Sequence, residues 1–378
     1  MLIGIVLRTF WTHTITVVWI VNLITVFVFW GSYSLKVKQR VFIFGFLSIL
    51  LGIITFVINY RYLDVNLKSI GTNVNIIIIP FFLFIIERIR DDKPLADINL
   101  NDILFFLSIM GLVSIVVSWV IGYSDIIRVF QGRLNVYRAN NGGLFYGKNI
   151  YGSFVSLSLC ADLYLYKKAY KKKSILLTII IIKVLALIVS FSRAAMLQAA
   201  VAAFMFLWFN GKRSARDWVL LGIVAAASLI IVLSNQTLYD FFVYNVLRLE
   251  TGDAGRAVLR RLAVDRVDSD PLTLLFGVGY AGIDSLNIDI DNTYLYIYFS
   301  GGLFKILFYL VTLFVSVKRI IQIRIRNLFL GNLCMAVTVS YFVFAFFESV
   351  AVLELGLLNF LYTFFMFIVP SGYDSGEL

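Results

Sequence analysis

Long apolar runs recur along this chain, and the short stretches between them carry most of its charge. A bilayer core about 30 Å thick takes about 20 helical residues to cross, and the runs reach that length without the strict alternation of a barrel strand. A chain patterned in this way folds as a bundle of membrane helices. Composition agrees: 61% of the 378 residues are hydrophobic, against roughly 45–50% apolar in soluble domains, and only 15% are charged. The runs predict an all-α, polytopic integral membrane protein with about eleven spans, near 14–30, 41–59, 74–87, 102–122, 149–166, 174–191, 194–210, 218–233, 292–316, 328–347 and 355–370. The third is short and contains Pro80.

Cationic clusters set the expected sidedness. Lys36, Lys38 and Arg40; Arg88, Arg90 and Lys93; the Lys167 to Lys173 block; Lys212, Arg213 and Arg216; and Lys318, Arg319, Arg324 and Arg326 occupy every second connection. The positive-inside rule makes these cytoplasmic, with the N-terminus outside and the C-terminus inside. A further helix from an upstream start would make twelve spans and bring the N-terminus inside. Met1 to Thr12 carries Arg8 but no A-x-A cleavage site, so the first run reads as a span rather than a signal peptide.

Two exterior connections are long, 123–148 and 234–291, within what is otherwise a single transmembrane domain. The exterior cations are eleven Arg and two Lys, whereas the interior ones are eight Arg and ten Lys. Arginine presents a planar fork that matches phosphate oxygens in pairs, while lysine clusters need only supply charge. Ordinary pairing with loop carboxylates is the plainer reading of the same residues. The net charge of +11 is explained by membrane sidedness and gives no reason to expect nucleic acid.

Other chemistries are excluded by count. Cys160 and Cys334 both lie in apolar runs, which leaves no disulfide framework or thiolate metal site, and His13 is the single histidine. Neither a clustered-histidine metal centre nor a Ser-His-Asp triad away from the N-terminus can be built, so no metal or cofactor is expected. No internal period suggests duplicated transporter halves, and the largest exterior loop is off-centre, which makes transport the weaker class.

Four exterior patterns carry the candidate chemistry. Gly142-Gly143-Leu144-Phe145-Tyr146-Gly147-Lys148-Asn149 follows Arg133 and Arg138 and opens a span; its glycines let backbone N–H groups approach an anion at a helix N-terminus, or simply form a turn. Ser190-Phe191-Ser192-Arg193 is a tight turn whose guanidinium either meets an anion or snorkels to the interface. Thr251 to Leu262 reads as an amphipathic helix with Arg256 and Arg260 at i and i+4, ending by Asp268 to Pro271, followed by a Phe276-Gly277-Val278-Gly279-Tyr280 turn. A surface helix on lipid headgroups is its alternative. Asp289-Ile290-Asp291-Asn292-Thr293-Tyr294 enters the ninth span, with a carboxylate suited either to general-base work or to helix capping. Within the spans, Lys183 and Lys305 either serve function or pair with buried polar groups.

In this order the patterns resemble the O-antigen polymerase/ligase family, which includes Wzy-type polysaccharide polymerases and lipid A core O-antigen ligases. The resemblance covers about residues 133–316: Gly143 to Asn149, Ser192-Arg193, Gly255-Arg256 through Pro271-Leu272, Phe276 to Gly279, Asp291-Asn292-Thr293-Tyr294-Leu295 and, loosely, Gly301-Gly302-Leu303. Where the ligases carry histidine this chain has Asp291, which favours the polymerase branch.

The resemblance implies a metal-independent, inverting glycosyltransferase of the bacterial cytoplasmic membrane, working on its exterior face without nucleotide sugar. It would use an undecaprenyl-pyrophosphate-linked oligosaccharide, with membrane lipid and a chain-length regulator protein as partners. Asp291, Arg193 and Arg256 would be catalytic, and Arg133, Arg138, Lys148, Asn149, Arg260, Asn292 and Tyr294 would bind pyrophosphate or substrate. An O-antigen ligase and a lipid-linked oligosaccharide flippase are the alternatives.

Overall fold

The computed structural model describes residues 50, 100–131, 142–143, 145, 147–210, 261, 264–265, 267–268, 270–278, 290, 292–352 and 357–370. Its main elements are α1 (Leu100–Phe130), α2 (Lys148–Lys168), α3 (Lys173–Val189), α4 (Arg193–Asn210), the short α5 (Pro271–Phe276), α6 (Thr293–Arg326), α7 (Leu328–Ala345) and α8 (Leu357–Thr363), which runs on into a π-helical turn, Phe364–Ile368. No strand occurs among the described residues.

Four of these helices, α1, α4, α6 and α7, are long and apolar enough to cross a bilayer, so the chain is an integral membrane protein. Seven expected spans fall on described residues, and all seven are helical. The expected helices 14–30, 74–87 and 218–233, and all of 41–59 but Leu50, lie outside the described residues, as does the expected amphipathic helix over 251–262 apart from Arg261.

Two boundaries differ. α1 continues to Phe130, eight residues into the segment read as an exterior loop, because Ile126, Ile127 and Val129 keep a helical apolar spacing and Arg128 lies 3.9 Å from Asp125 one turn back. α6 runs ten residues past the expected end, its last turns carrying Lys318, Arg319, Arg324 and Arg326 beyond the apolar stretch. Its 34 residues correspond to about 50 Å of helix, well over a bilayer core.

The chain divides into two compact units. The first, Asn99–Ala254 with Arg324–Phe344, is built around α2, which packs on α1, α3 and α4. α2 is the most polar of these four helices, yet most of it is buried, including Ser153, Ser156, Ser158 and Asp162. Its neighbours supply the lipid-facing side chains, such as Val116, Val120, Ile181 and Phe204. The inversion is physical: lipid is as apolar as leucine, so helix contacts in a membrane come from small residues and interhelical polar bonds. Gly152 shows the closeness of the fit, since a Cβ there would stand 2.6 Å from the Ala195 side chain.

Within this unit the ends of the helices sort as the cationic clusters predict. Tyr170, in the lysine-rich α2–α3 connection, donates to Asp102 at the start of α1, and that bond raises the phenol above its ordinary pKa. The Lys168 ammonium lies 5.5 Å from the Phe329 ring at the start of α7. The other end gathers Ser118, the Gly143 turn, Asn149 and Ser192.

The second unit holds α5, α6 as far as Ile323, and α8. Val267, Val278, Ile290 and Phe299 form an apolar cluster in it. The π turn widens α8 so that the Met366 carbonyl accepts from the Ser316 hydroxyl of α6 at 2.7 Å.

Candidate functional site

In the first unit the glycine-lysine motif and the serine-arginine turn, more than forty residues apart in sequence, meet. Ser192 donates to Asn149 Oδ1 at 2.7 Å, and its Oγ accepts from the Ala195 N–H at 3.3 Å, capping α4. The Ser192 N–H donates to Ser190 Oγ at 3.2 Å, and Ser190 Oγ donates to the Leu187 carbonyl at 2.6 Å. Phe191, buried between the serines, adopts a left-handed φ of 54°. That conformation costs a non-glycine residue about 1–2 kcal/mol, and burial of the ring offsets it. The turn is therefore fixed, and Arg193 leaves it as the first residue of α4, with its side chain exposed.

The glycine loop is fixed as well. Gly143 has φ +60°, and a Cβ on it would lie 2.7 Å from Ser118 Cα, so only glycine lets the loop lie on α1. The Phe145 N–H donates to the Gly142 carbonyl at 3.0 Å, and its buried ring packs on Phe154 with centroids 5.1 Å apart. The glycines thus serve close packing rather than a free backbone cradle. α2 then opens at Gly147 with no side-chain cap, next to Lys148 and Asn149, both partly exposed. Two helix N-termini, a lysine and an arginine so share one end of the unit. Each favours negative charge.

In the second unit, Asn292 and Tyr294 are occupied structurally. Asn292 caps α6 by accepting from the Leu295 N–H at 3.0 Å, and its Nδ2 donates to the Phe346 carbonyl at 3.1 Å. Tyr294 packs its ring on Phe346, 4.8 Å between centroids. Thr293, not singled out in the sequence, donates to the Glu348 carbonyl at 2.6 Å and accepts from the Val350 N–H at 2.9 Å. Together these bonds tie the entrance of α6 to the 346–350 segment.

The third and fourth motifs also meet here. The residues expected to end a helix begin a new one: Asp270 accepts from the Leu272 N–H at 3.3 Å and Pro271 takes the first helical position. α5 stops at Gly277, φ +73°, whose absent side chain leaves room for the backbone of Gly301 and Gly302. Gly302, φ +64° and ψ −161°, breaks α6, and the Val278 N–H donates to the Phe299 carbonyl at 2.8 Å. The backbone of Leu275 and Phe276 stands where a Gly302 side chain would be.

Asp291, Arg256, Arg260, Arg133 and Arg138 lie outside the described residues. One buried residue escaped the sequence reading altogether. Asp162, on α2, forms a 2.5 Å ion pair with Lys183 of α3. Its sequence signal was a lone carboxylate within an apolar run, which a membrane tolerates only when paired.

No protein-family model and no curated protein matches this chain.

Proposed function

We propose that the protein is a polysaccharide polymerase of the cytoplasmic membrane, a glycosyltransferase that uses an oligosaccharide carried on undecaprenyl pyrophosphate. The observation that carries this reading is the Ser192–Asn149 bond, which joins two of the motifs on which the family resemblance rests. It holds Arg193 and Lys148 at one end of a membrane unit beside two helix N-termini. A pyrophosphate leaving group needs such donors, because negative charge grows on it as the glycosidic bond breaks.

In this reaction a sugar hydroxyl oxygen of the incoming lipid-linked unit attacks the anomeric carbon of the growing chain. The bond from that carbon to the pyrophosphate oxygen breaks, the carrier pyrophosphate leaves with the electron pair, and configuration inverts. Asp291 takes the hydroxyl proton. Arg193 and Arg256 neutralise the leaving group, and Lys148, Asn149, Arg133, Arg138 and Arg260 are the further residues that the resemblance assigns to pyrophosphate or substrate. No nucleotide sugar or metal takes part.

The test is glycan length in a polymerase-deficient strain carrying the gene. Wild type restores a ladder of lengths. Arg193→Ala and Arg256→Ala abolish it at unchanged protein level, and Arg193→Lys recovers little because a point charge lacks the bidentate fork. A normal ladder in both alanine variants overturns the assignment. Were the protein a ligase, its loss would instead leave polymer on the carrier, and were it a flippase, its loss would leave repeat units at the cytoplasmic face.

A further inference from the structure

At the lysine-rich end of the first unit, a relay of side-chain amides ends on one arginine. Asn210, the last residue of α4, donates through Nδ2 to the Phe206 carbonyl at 3.0 Å. Its Oδ1 accepts from Asn332 Nδ2 of α7 at 2.8 Å, and Asn332 Oδ1 accepts from Arg324 Nε at 2.7 Å. Asn332 is fully buried. The Phe209 ring covers the guanidinium from one side, with Cζ 4.1 Å from its centroid. Gly331 brings the start of α7 onto the arginine's own backbone, since a Cβ there would stand 2.6 Å from Arg324 Cβ. A hydrogen bond, a ring face and a backbone contact therefore fix the orientation of this guanidinium.

An arginine that only marks sidedness needs none of this. The Nε bond uses one of five N–H groups and leaves the two Nη atoms as a fork; neither donates to another described residue. The side chain is partly exposed. Arg326 and the lysines at 167, 168, 171, 172 and 173 belong to the same unit, Lys168 reaches the Phe329 ring at the start of α7, and Asp102, the one carboxylate described at this end, already accepts from Tyr170. Phe204 and Trp208 on the last turns of α4 are exposed and stacked, 5.5 Å between centroids, which supplies apolar surface within a turn and a half of Phe209. Fixed fork, positive surroundings and an adjoining aromatic face match an anionic phosphodiester that carries acyl chains.

We propose that Arg324, oriented by Asn332, Asn210 and Phe209, binds the headgroup phosphate of an anionic glycerophospholipid, at a site separate from the candidate transfer site. The inference stands without the polymerase reading. Its test is lipid retention by the full-length protein, purified in neutral detergent, exchanged with phosphatidylglycerol and weighed by native mass spectrometry.

Wild type retains one phosphatidylglycerol per chain and does not release it to millimolar inorganic phosphate. Arg324→Lys, which keeps the charge but loses Nε and the fork, and Asn332→Leu, which removes the orienting amide, each retain about tenfold less, the loss of one charge-assisted bond. A Lys167→Ala/Lys172→Ala variant retains as much as wild type. Equal loss in the lysine variant overturns the proposal, because diffuse charge then suffices. Undiminished retention in Arg324→Lys overturns it too, as does full displacement by phosphate. If Arg324→Lys yields no monodisperse protein, the guanidinium serves only to hold Asn332 and Asn210 together, and the proposal also fails.

Discussion

The ammonium of Lys183 lies 2.5 Å from Asp162 Oδ2, and neither side chain has any solvent exposure. Lys183 Nζ also reaches the Ser158 carbonyl at 3.3 Å and Ser108 Oγ at 3.5 Å, so the pair joins α1, α2 and α3 at one point. Two charges withdrawn from water recover their desolvation only from each other and from such polar neighbours. Removing one strands the other, at about 3–5 kcal/mol, whereas replacing both with apolar residues of similar size is often neutral. Asp162→Leu and Lys183→Met should each sharply reduce monodisperse protein and thermal stability in detergent, and the double variant should recover most of it. Recovery no better than the worse single variant would show that the charges themselves, not their mutual compensation, are required.

The crossing of α5 on α6 makes a second prediction. Gly302 adopts φ +64° and ψ −161°, a region open essentially to glycine alone, and its missing side chain is replaced by neighbouring backbone. Gly302→Ala therefore combines about 1–3 kcal/mol of backbone strain with a clash against atoms that cannot swing away. Gly277→Ala meets the same backbone from the other side. Gly147→Ala is the contrast: its φ is −155° and nothing lies within 4 Å of the added Cβ, so its stability should stay within about 0.5 kcal/mol of wild type. Thermal melts of the three variants, compared side by side, check this order.

At the serine-arginine turn, stability and function should separate. Ser192→Ala removes the α4 cap and the tie to Asn149, with an expected loss of about 1 kcal/mol. Asn149→Asp keeps an acceptor for the Ser192 hydroxyl and so should melt close to wild type, but it sets a negative charge beside Lys148 and Arg193. If an anionic leaving group docks there, glycan chains shorten or vanish in Asn149→Asp despite normal protein level. An unaltered ladder would place pyrophosphate elsewhere.

Among the described residues the run lengths revealed the helices because one span needs about the same number of residues wherever it sits, and within the first unit the Lys167 to Lys173 block marked an end that the helices share. The break at Gly302 was hidden because it falls in the middle of a continuous apolar run, where hydropathy does not sense backbone direction. Asp162 was hidden for the opposite reason: its partner is 21 positions away on another helix, and no local pattern links them. At the candidate site, the order of motifs brought Asn149, Ser192 and Arg193 into view, but the parts played by Asn292 and Tyr294 emerged only from their contacts with Phe346. The Asp270-Pro271 start of α5 was readable as a cap followed by a first-turn proline. The same residues also suit the end of a helix, so the local pattern alone does not decide between the two.

Breaking α6 at Gly302 also divides its electric field. A continuous helix keeps its partial charges, about half an elementary charge each, at its two distant ends. Here the nine residues Thr293–Gly301 form a separate dipole whose negative pole lies part-way along the span, at the buried Gly301 and Gly302. The Lys305 ammonium stands at that pole, 2.8 Å from the Ser300 hydroxyl in the last turn before the break. Lys305, which the sequence leaves open between function and pairing with a buried polar group, pairs with Ser300 and is thus the counter-charge to a pole that the backbone itself creates.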